Sequence, residues 1–398
     1  MKIAMVAEQV PVRSLAQALA DRGHRVTIYT RQGTPVAATP TGPGVTVVAL
    51  PGGAGPDSGA HPEGDAGPGP EPDAGLDATL DAGLANLPDF AAALRQRWAV
   101  DRPDVVHAHF WTAGLAAIAG ARDAGIPVLQ TFHTLGSADP ARAEAGDPTQ
   151  RIRLEAAIGR SVTQVLAGSR AEVEEHLRRG LPRSAVTVLP YGVDVQRFSP
   201  DGPVATRNNR PRVVSAGPLV PRTGFDLAIR ALRRVPRAEL LIIGEPGQPR
   251  LRTDPEARRL LAEADRSGVA ERVSVTCGVS DDELPALLRS ADVAVCTPWS
   301  EPVGGAALQA MACGVPVVAA ALGELIDTVA EGATGVLVPP RQPVALATAV
   351  RRLLADPTRL AGYRVGAVDR ARARFAWAAV ALDTEAAYRR ALRLPPPD

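Results

Sequence analysis

Short apolar runs rich in Val and Ile alternate along this chain with stretches whose apolar residues recur at helical spacing. Runs of the first kind, bounded by turn formers, read as strands buried on both faces; the second kind reads as amphipathic helix. In the first half the pattern predicts strands over Lys2–Glu8, Arg25–Thr30, Val45–Leu50, Asp104–His109, Pro127–Phe132, Thr163–Gly168 and Val186–Pro190. Between them it predicts helices over Val12–Asp21, Leu76–Val100, Thr112–Ala124 and Arg170–Arg179, with Gly23, Gly125 and Gly180 where C-terminal caps belong. Leu76, Leu80, Leu84, Leu87, Ala91, Leu94 and Trp98 draw one stripe, the mark of a helix packed on a sheet. The alternation restarts with strands over Val213–Gly217, Leu240–Glu245, Val273–Cys277, Val293–Thr297, Val315–Ala319 and Gly335–Pro339.

Such alternation implies parallel strands with right-handed crossovers, so the fold class is α/β with two doubly wound sheets in tandem. The polar, aperiodic stretch 199–212 reads as a linker between a domain over 1–198 and a second over 213–375. A central cleft bounded by the carboxyl ends of both sets of strands is where ligands are expected. Residues 51–75 are dominated by glycine, proline and acids, too poor in apolar surface to offset ordering, and read as a disordered loop.

Composition narrows the chemistry. The 398 residues suit two domains, and 44 basic against 43 acidic side chains leave neither a nucleic-acid footprint nor a polybasic membrane patch. Lysine occurs once, at Lys2, which excludes a P-loop. Residues 1–22 lack glycine, so no dinucleotide-binding turn follows the first strand. Gly168-Ser169 is followed by Arg170, which excludes a nucleophile elbow. Cys277, Cys296 and Cys313 form no C-x-x-C pair, so no metal site is expected and a reducing, cytoplasmic setting is. The apolar run Ile3–Ala7 is too short for a signal core, and the uncharged stretch from Pro302 to Gly323 is broken by Gly314 and Pro316, so no transmembrane segment is expected.

The most informative segment runs from Ala291 to Val318. A strand ending near Thr297 leads into a loop presenting Glu301, and Gly304-Gly305 open a helix whose unpaired N–H groups suit a phosphate. Gln309 follows in that helix, within reach of a hydroxyl-rich group. His107 and His109 share one face of their strand, and the absence of a third ligand favours substrate contact or packing over metal. Glu245 reads as a solvated loop residue, and His24, His61 and His176 are assigned nothing.

This segment resembles the signature of the retaining GT-B glycosyltransferases of family four: Glu301, seven residues, then Gln309-Ala-Met-Ala-Cys-Gly314-Val-Pro316-Val-Val. Further motifs fall in that family's order: Ala20–Thr30, Pro103–Trp111, Gln130–Gly136, Val188–Asp194 and Glu331–Pro340. The nearest flavour is the actinobacterial branch that includes inositol-phosphate glycosyltransferases. The resemblance implies two Rossmann-like domains, with a C-terminal helix over 376–398 crossing back to the first. It implies transfer of a hexosyl group from a UDP- or GDP-linked sugar to a small polar acceptor with retention, needing neither cofactor nor metal. Glu301 and His133 are then the catalytic pair, and Gly217, Arg222, Gly304, Gly305 and Gln309 hold the donor. His109 and Trp111 shape the acceptor side.

Three departures weaken the part that stabilises a leaving diphosphate. The family's second Glu is Gln309, its clamp Arg is Pro218 and its clamp Lys is Thr223. Loss of one such donor typically costs ~3–4 kcal/mol of barrier. Two rival expectations follow: a weakened homologue that binds a sugar nucleotide or partner protein without turnover, and an enzyme whose donor is not a diphosphate sugar.

Overall fold

The computed structural model describes residues 1–7, 12–32, 34, 41–51, 84, 86–136, 148–244, 254–280, 282–299 and 305–394. The chain divides into two compact units, Met1–Leu189 with Ala381–Asp398, and Pro190–Val380.

Unit 1 carries strands β1 (Lys2–Val6), β2 (Arg25–Arg31), β3 (Val45–Leu50), β4 (Val105–His109), β5 (Val128–Thr131), β6 (Gln164–Ala167) and β7 (Val186–Val188). They pair in parallel in the order β3-β2-β1-β4-β5-β6-β7. The order reverses at β1 and β4, and the carboxyl ends of strands at such a reversal are the ligand-binding edge of a doubly wound sheet. Alternation along β4 sends Val106 and Ala108 into an apolar layer with Phe90, Leu94 and Trp98 of the helix Leu87–Val100. His107 and His109 therefore project from the opposite face. Of the foreseen leucine stripe, Leu87, Ala91, Leu94 and Trp98 are buried, while Leu76 and Leu80 lie outside the described residues, as do 52–75 of the glycine-proline loop. Ser169, in a turn that Arg170 excludes from being a nucleophile elbow, is a helix cap: its Oγ accepts from Glu172 N, and Glu172 Oε2 accepts from Gly168 N.

Unit 2 carries β8 (Arg212–Ala216), β9 (Glu239–Ile243), β10 (Val273–Thr276), β11 (Val293–Cys296), β12 (Val317–Ala320) and β13 (Gly335–Val338). Their parallel order is β10-β9-β8-β11-β12-β13, with the reversal at β8 and β11. Residues 199–212, read from composition as a linker, are fastened to this unit. Arg289 donates to the carbonyls of Ser199 and Pro203, Ala205 N to Ala286 O, and Arg207 pairs with Asp292 at 2.7 Å. Polarity there reflects a surface-hugging segment whose backbone groups find partners within the unit it belongs to, and the division falls earlier, between Leu189 and Pro190. Among the described residues no helix is long and apolar enough to cross a membrane.

Candidate functional site

The carboxyl ends of β4 and β5 bring three histidines into one stack. Register places His109 beside Thr131, so His133, two residues further, lies alongside His109. His107 is fully buried, with Nδ1 2.8 Å from Tyr388 Oη and Nε2 2.9 Å from Thr131 Oγ1. Its ring centroid is 4.1 Å from that of His109, whose Nδ1 lies 3.0 Å from His133 Nε2. The rings of Phe110 and His133 pack at 4.5 Å. Burial pushes the His107 imidazole down to about 3 and that of His133 to about 4. His109 lies well below the ordinary value, through burial and then the two neighbouring imidazoles. All three rings are neutral at pH 7, and burial pushes the Tyr388 hydroxyl up.

The backbone is strained where the stack is built. Phe110 has φ 69° and ψ 156°, and His133 has φ 62°. A left-handed φ is disfavoured for any side chain, and the region Phe110 occupies belongs almost wholly to glycine. Gln130 holds this turn: its Nε2 donates to Phe110 O at 3.1 Å and Thr131 O at 2.9 Å. A Cβ at Gly114 would lie well inside contact distance of Gln130 Oε1, so glycine is needed there for Gln130 to reach across. Trp111, foreseen on the acceptor side, is only 8% exposed and packs with Phe132, Leu135 and Ile158. It is a core residue because the helix it opens, Trp111–Ala121, is apolar on nearly every side. His109 likewise is a buried residue behind His133 rather than a surface contact.

In unit 2 the loops after β8 and β11 are laced together at the reversal of strand order. Gly217 leaves β8 at φ 148°, and Thr223 Oγ1 donates back to Pro218 O at 2.7 Å, so neither clamp substitute presents a cation. Arg222 lies in the short turn Pro221–Thr223, and its carbonyl accepts from Trp299 N at 2.8 Å. Thr297 Oγ1 donates to Gly224 O at 2.9 Å. Gly224 has φ 72°, and a Cβ on it would drive into Thr297 O. Arg341 adds a cation at the same edge, its guanidinium 5.9 Å from the Trp299 ring centre. The helix Gly305–Ala312 begins beside Tyr191, with Gln309 half-buried in its second turn. Glu301 and Gly304, and Glu245, lie outside the described residues. Among the described residues no group of three or more His, Cys, Asp or Glu is arranged to hold a metal ion.

Four contributors went unforeseen. Gln130 was legible in principle, since a glutamine inside a buried strand must find partners. Phe110, Tyr388 and Arg341 carried no such signal.

Two all-parallel sheets, each reversing strand order at its centre, define the two-domain class of GT-B proteins. A family model described as glycosyl transferase 4-like domain matches residues 9–192, and one described as glycosyl transferases group 1 matches 201–372. D-inositol 3-phosphate glycosyltransferase 2 of Catenulispora acidiphila is 32% identical over 96% of this chain and 90% of its own length. The D-inositol 3-phosphate glycosyltransferase of Stackebrandtia nassauensis is 32% identical over 95% and 85%. The chain belongs to the group 1, family-4-like glycosyltransferases and is an enzyme of glycosyl transfer. Among solved structures, sucrose-phosphate synthase from Thermosynechococcus elongatus matches with a TM-score of 0.79 at 27% identity, covering 98% of both chains. The Anabaena HepE structure with UDP and glucose shares the fold at a TM-score of 0.71 and 18% identity, covering 97% of this chain and 99% of its own.

Proposed function

We propose that this enzyme transfers a hexosyl group from a UDP- or GDP-linked sugar to a small polyol phosphate, with retention of anomeric configuration and without a metal. The observation that carries the reading is the lacing of the β8 and β11 loops at the reversal point of the second sheet, beside the helix opening at Gly305. The acceptor class follows the names of the actinobacterial relatives.

Charge developing on the departing diphosphate is met by groups fixed before the reaction starts. The first-turn N–H groups of the helix Gly305–Ala312 and its dipole face an anion. Arg222, in the turn whose carbonyl is bonded to Trp299, supplies a cation. Gln309 accepts a ribose hydroxyl, and Glu301 orients the sugar ring. The substitutions at Pro218 and Thr223 make this stabilisation weaker than a full Arg and Lys clamp, which places turnover below its ceiling.

The test is nucleotide release by purified protein over UDP-, GDP- and dTDP-sugars, with and without inositol phosphate, the product anomer being read by NMR. Turnover that disappears in Glu301→Ala and rises in the Pro218→Arg/Thr223→Lys double variant supports the reading. Absence of both nucleotide binding and release across the panel, in the native and double-variant proteins, refutes it.

A further inference from the structure

The histidine stack has a directionality that its hydrogen bonds fix. A neutral imidazole carries one N–H and one bare nitrogen. In the pair formed by His109 Nδ1 and His133 Nε2, 3.0 Å apart, one ring donates and the other accepts. The remaining nitrogen of His109, Nε2, is buried with no hydrogen-bond partner among the described residues. Were His133 the donor, the proton of His109 would sit on Nε2 as a buried N–H facing nothing. Were His109 the donor, its Nε2 would be a bare lone pair, the lesser demand: orphaned buried N–H groups are the rarer defect in folded proteins. The adjoining ring of His107 offers no alternative, since both its nitrogens are engaged by Tyr388 and Thr131.

We infer that His109 is a positioning residue: it donates its Nδ1 proton to Nε2 of His133 and so fixes His133 as the Nδ1–H tautomer. His133, the half-buried member of the stack, then offers that N–H as a neutral hydrogen-bond donor to a hydroxyl or phosphate oxygen of the substrate. Its acceptor nitrogen is occupied, so it does not act as a general base. The Phe110 ring against its face and the left-handed backbone at His133 hold the imidazole in that orientation. Only the role toward substrate rests on the transfer reading above; the tautomer does not.

The test is a long-range 1H–15N correlation spectrum of ligand-free protein labelled with 15N-histidine, whose six residues are few enough to assign by substitution. His133 is expected as the Nδ1–H form, although free imidazole side chains prefer Nε2–H. His109→Leu should return His133 to the Nε2–H form. His109→Asn, whose amide N–H falls near the original Nδ1, should restore the Nδ1–H form. With the best donor of the nucleotide-sugar panel, kcat should fall about tenfold in His109→Leu, the loss of one neutral hydrogen bond, and recover in His109→Asn. An Nε2–H form of His133 in the native protein overturns the inference, and that spectrum decides even if His109→Leu does not fold. An unchanged tautomer in a folded His109→Leu also overturns it. A shifted tautomer with unchanged kcat removes the role toward substrate. Native protein that shows the Nδ1–H form, with neither nucleotide binding nor release across the panel in the native and double-variant proteins, refutes the transfer reading while leaving the positioning intact.

Discussion

Acidification should loosen unit 1 from its histidine edge outward. His107 is fully buried and held neutral, its folded pKa near 3, with burial the larger cause and His133 the smaller. In the unfolded chain the same ring titrates near ~6.5. Below that pH the unfolded state binds a proton that the folded state refuses, so stability falls as pH falls, through a window running from ~6.5 down toward the folded value. The slope for one such group is ~1.4 kcal/mol per pH unit, which integrates to ~2 kcal/mol between pH 7.5 and 5. Glu385, held down to about 2 by Arg22, Arg389 and His24 in spite of its burial, adds its loss only at more acid pH. The perturbation is His107→Asn, which removes the titrating ring while leaving an amide near Tyr388. The assay is hydrogen exchange of the β4 and β5 amides from pH 7.5 to 5, corrected for intrinsic exchange, which reads this unit alone. The native protein should lose ~2 kcal/mol more than the variant over that range. Parallel curves would show that His107 is protonated in the folded state and the burial argument fails.

Two glycines carry the remaining expectations. Gly114→Ala should displace Gln130 and release both carbonyls it holds, lowering the stability of unit 1 by ~2 kcal/mol; a urea midpoint equal to that of the native protein would sink this. Gly224→Ala meets both a left-handed φ and the Thr297 carbonyl. It should destabilise unit 2 by ~2–3 kcal/mol and depress nucleotide-sugar turnover at temperatures where the protein remains folded. Unaltered thermal unfolding and kinetics would refute the lacing of the two loops.

Strands were legible because parallel strands covered on both faces are written as unbroken apolar runs, and the thirteen strands among the described residues fall within or beside the predicted ones. The helix Pro148–Ser161 escaped notice for the converse reason. The face it buries includes Arg151 and Glu155, paired at 2.8 Å, with Arg179 bonded to the same carboxylate, so charged residues occupy positions where apolar ones would have signalled a helix. The acceptor-side place that the resemblance implies for Trp111 is not met, because the residue packs with Phe132, Leu135 and Ile158, partners that no spacing near Trp111 announces. The partnership of His109 with His133 needed the β4–β5 register, which spacing along one strand does not contain. Tyr388 is separated from His107 by 281 positions, beyond the reach of any local pattern.

That last separation also bears on how the protein is made. Arg22 and His24 find their carboxylate at Glu385, and His107 its phenol at Tyr388, so the amino-terminal sheet emerges from the ribosome long before these partners exist. Domains usually mature in the order of their synthesis. Here the first unit waits, its imidazole edge unfinished, until residues 385–388 have been translated.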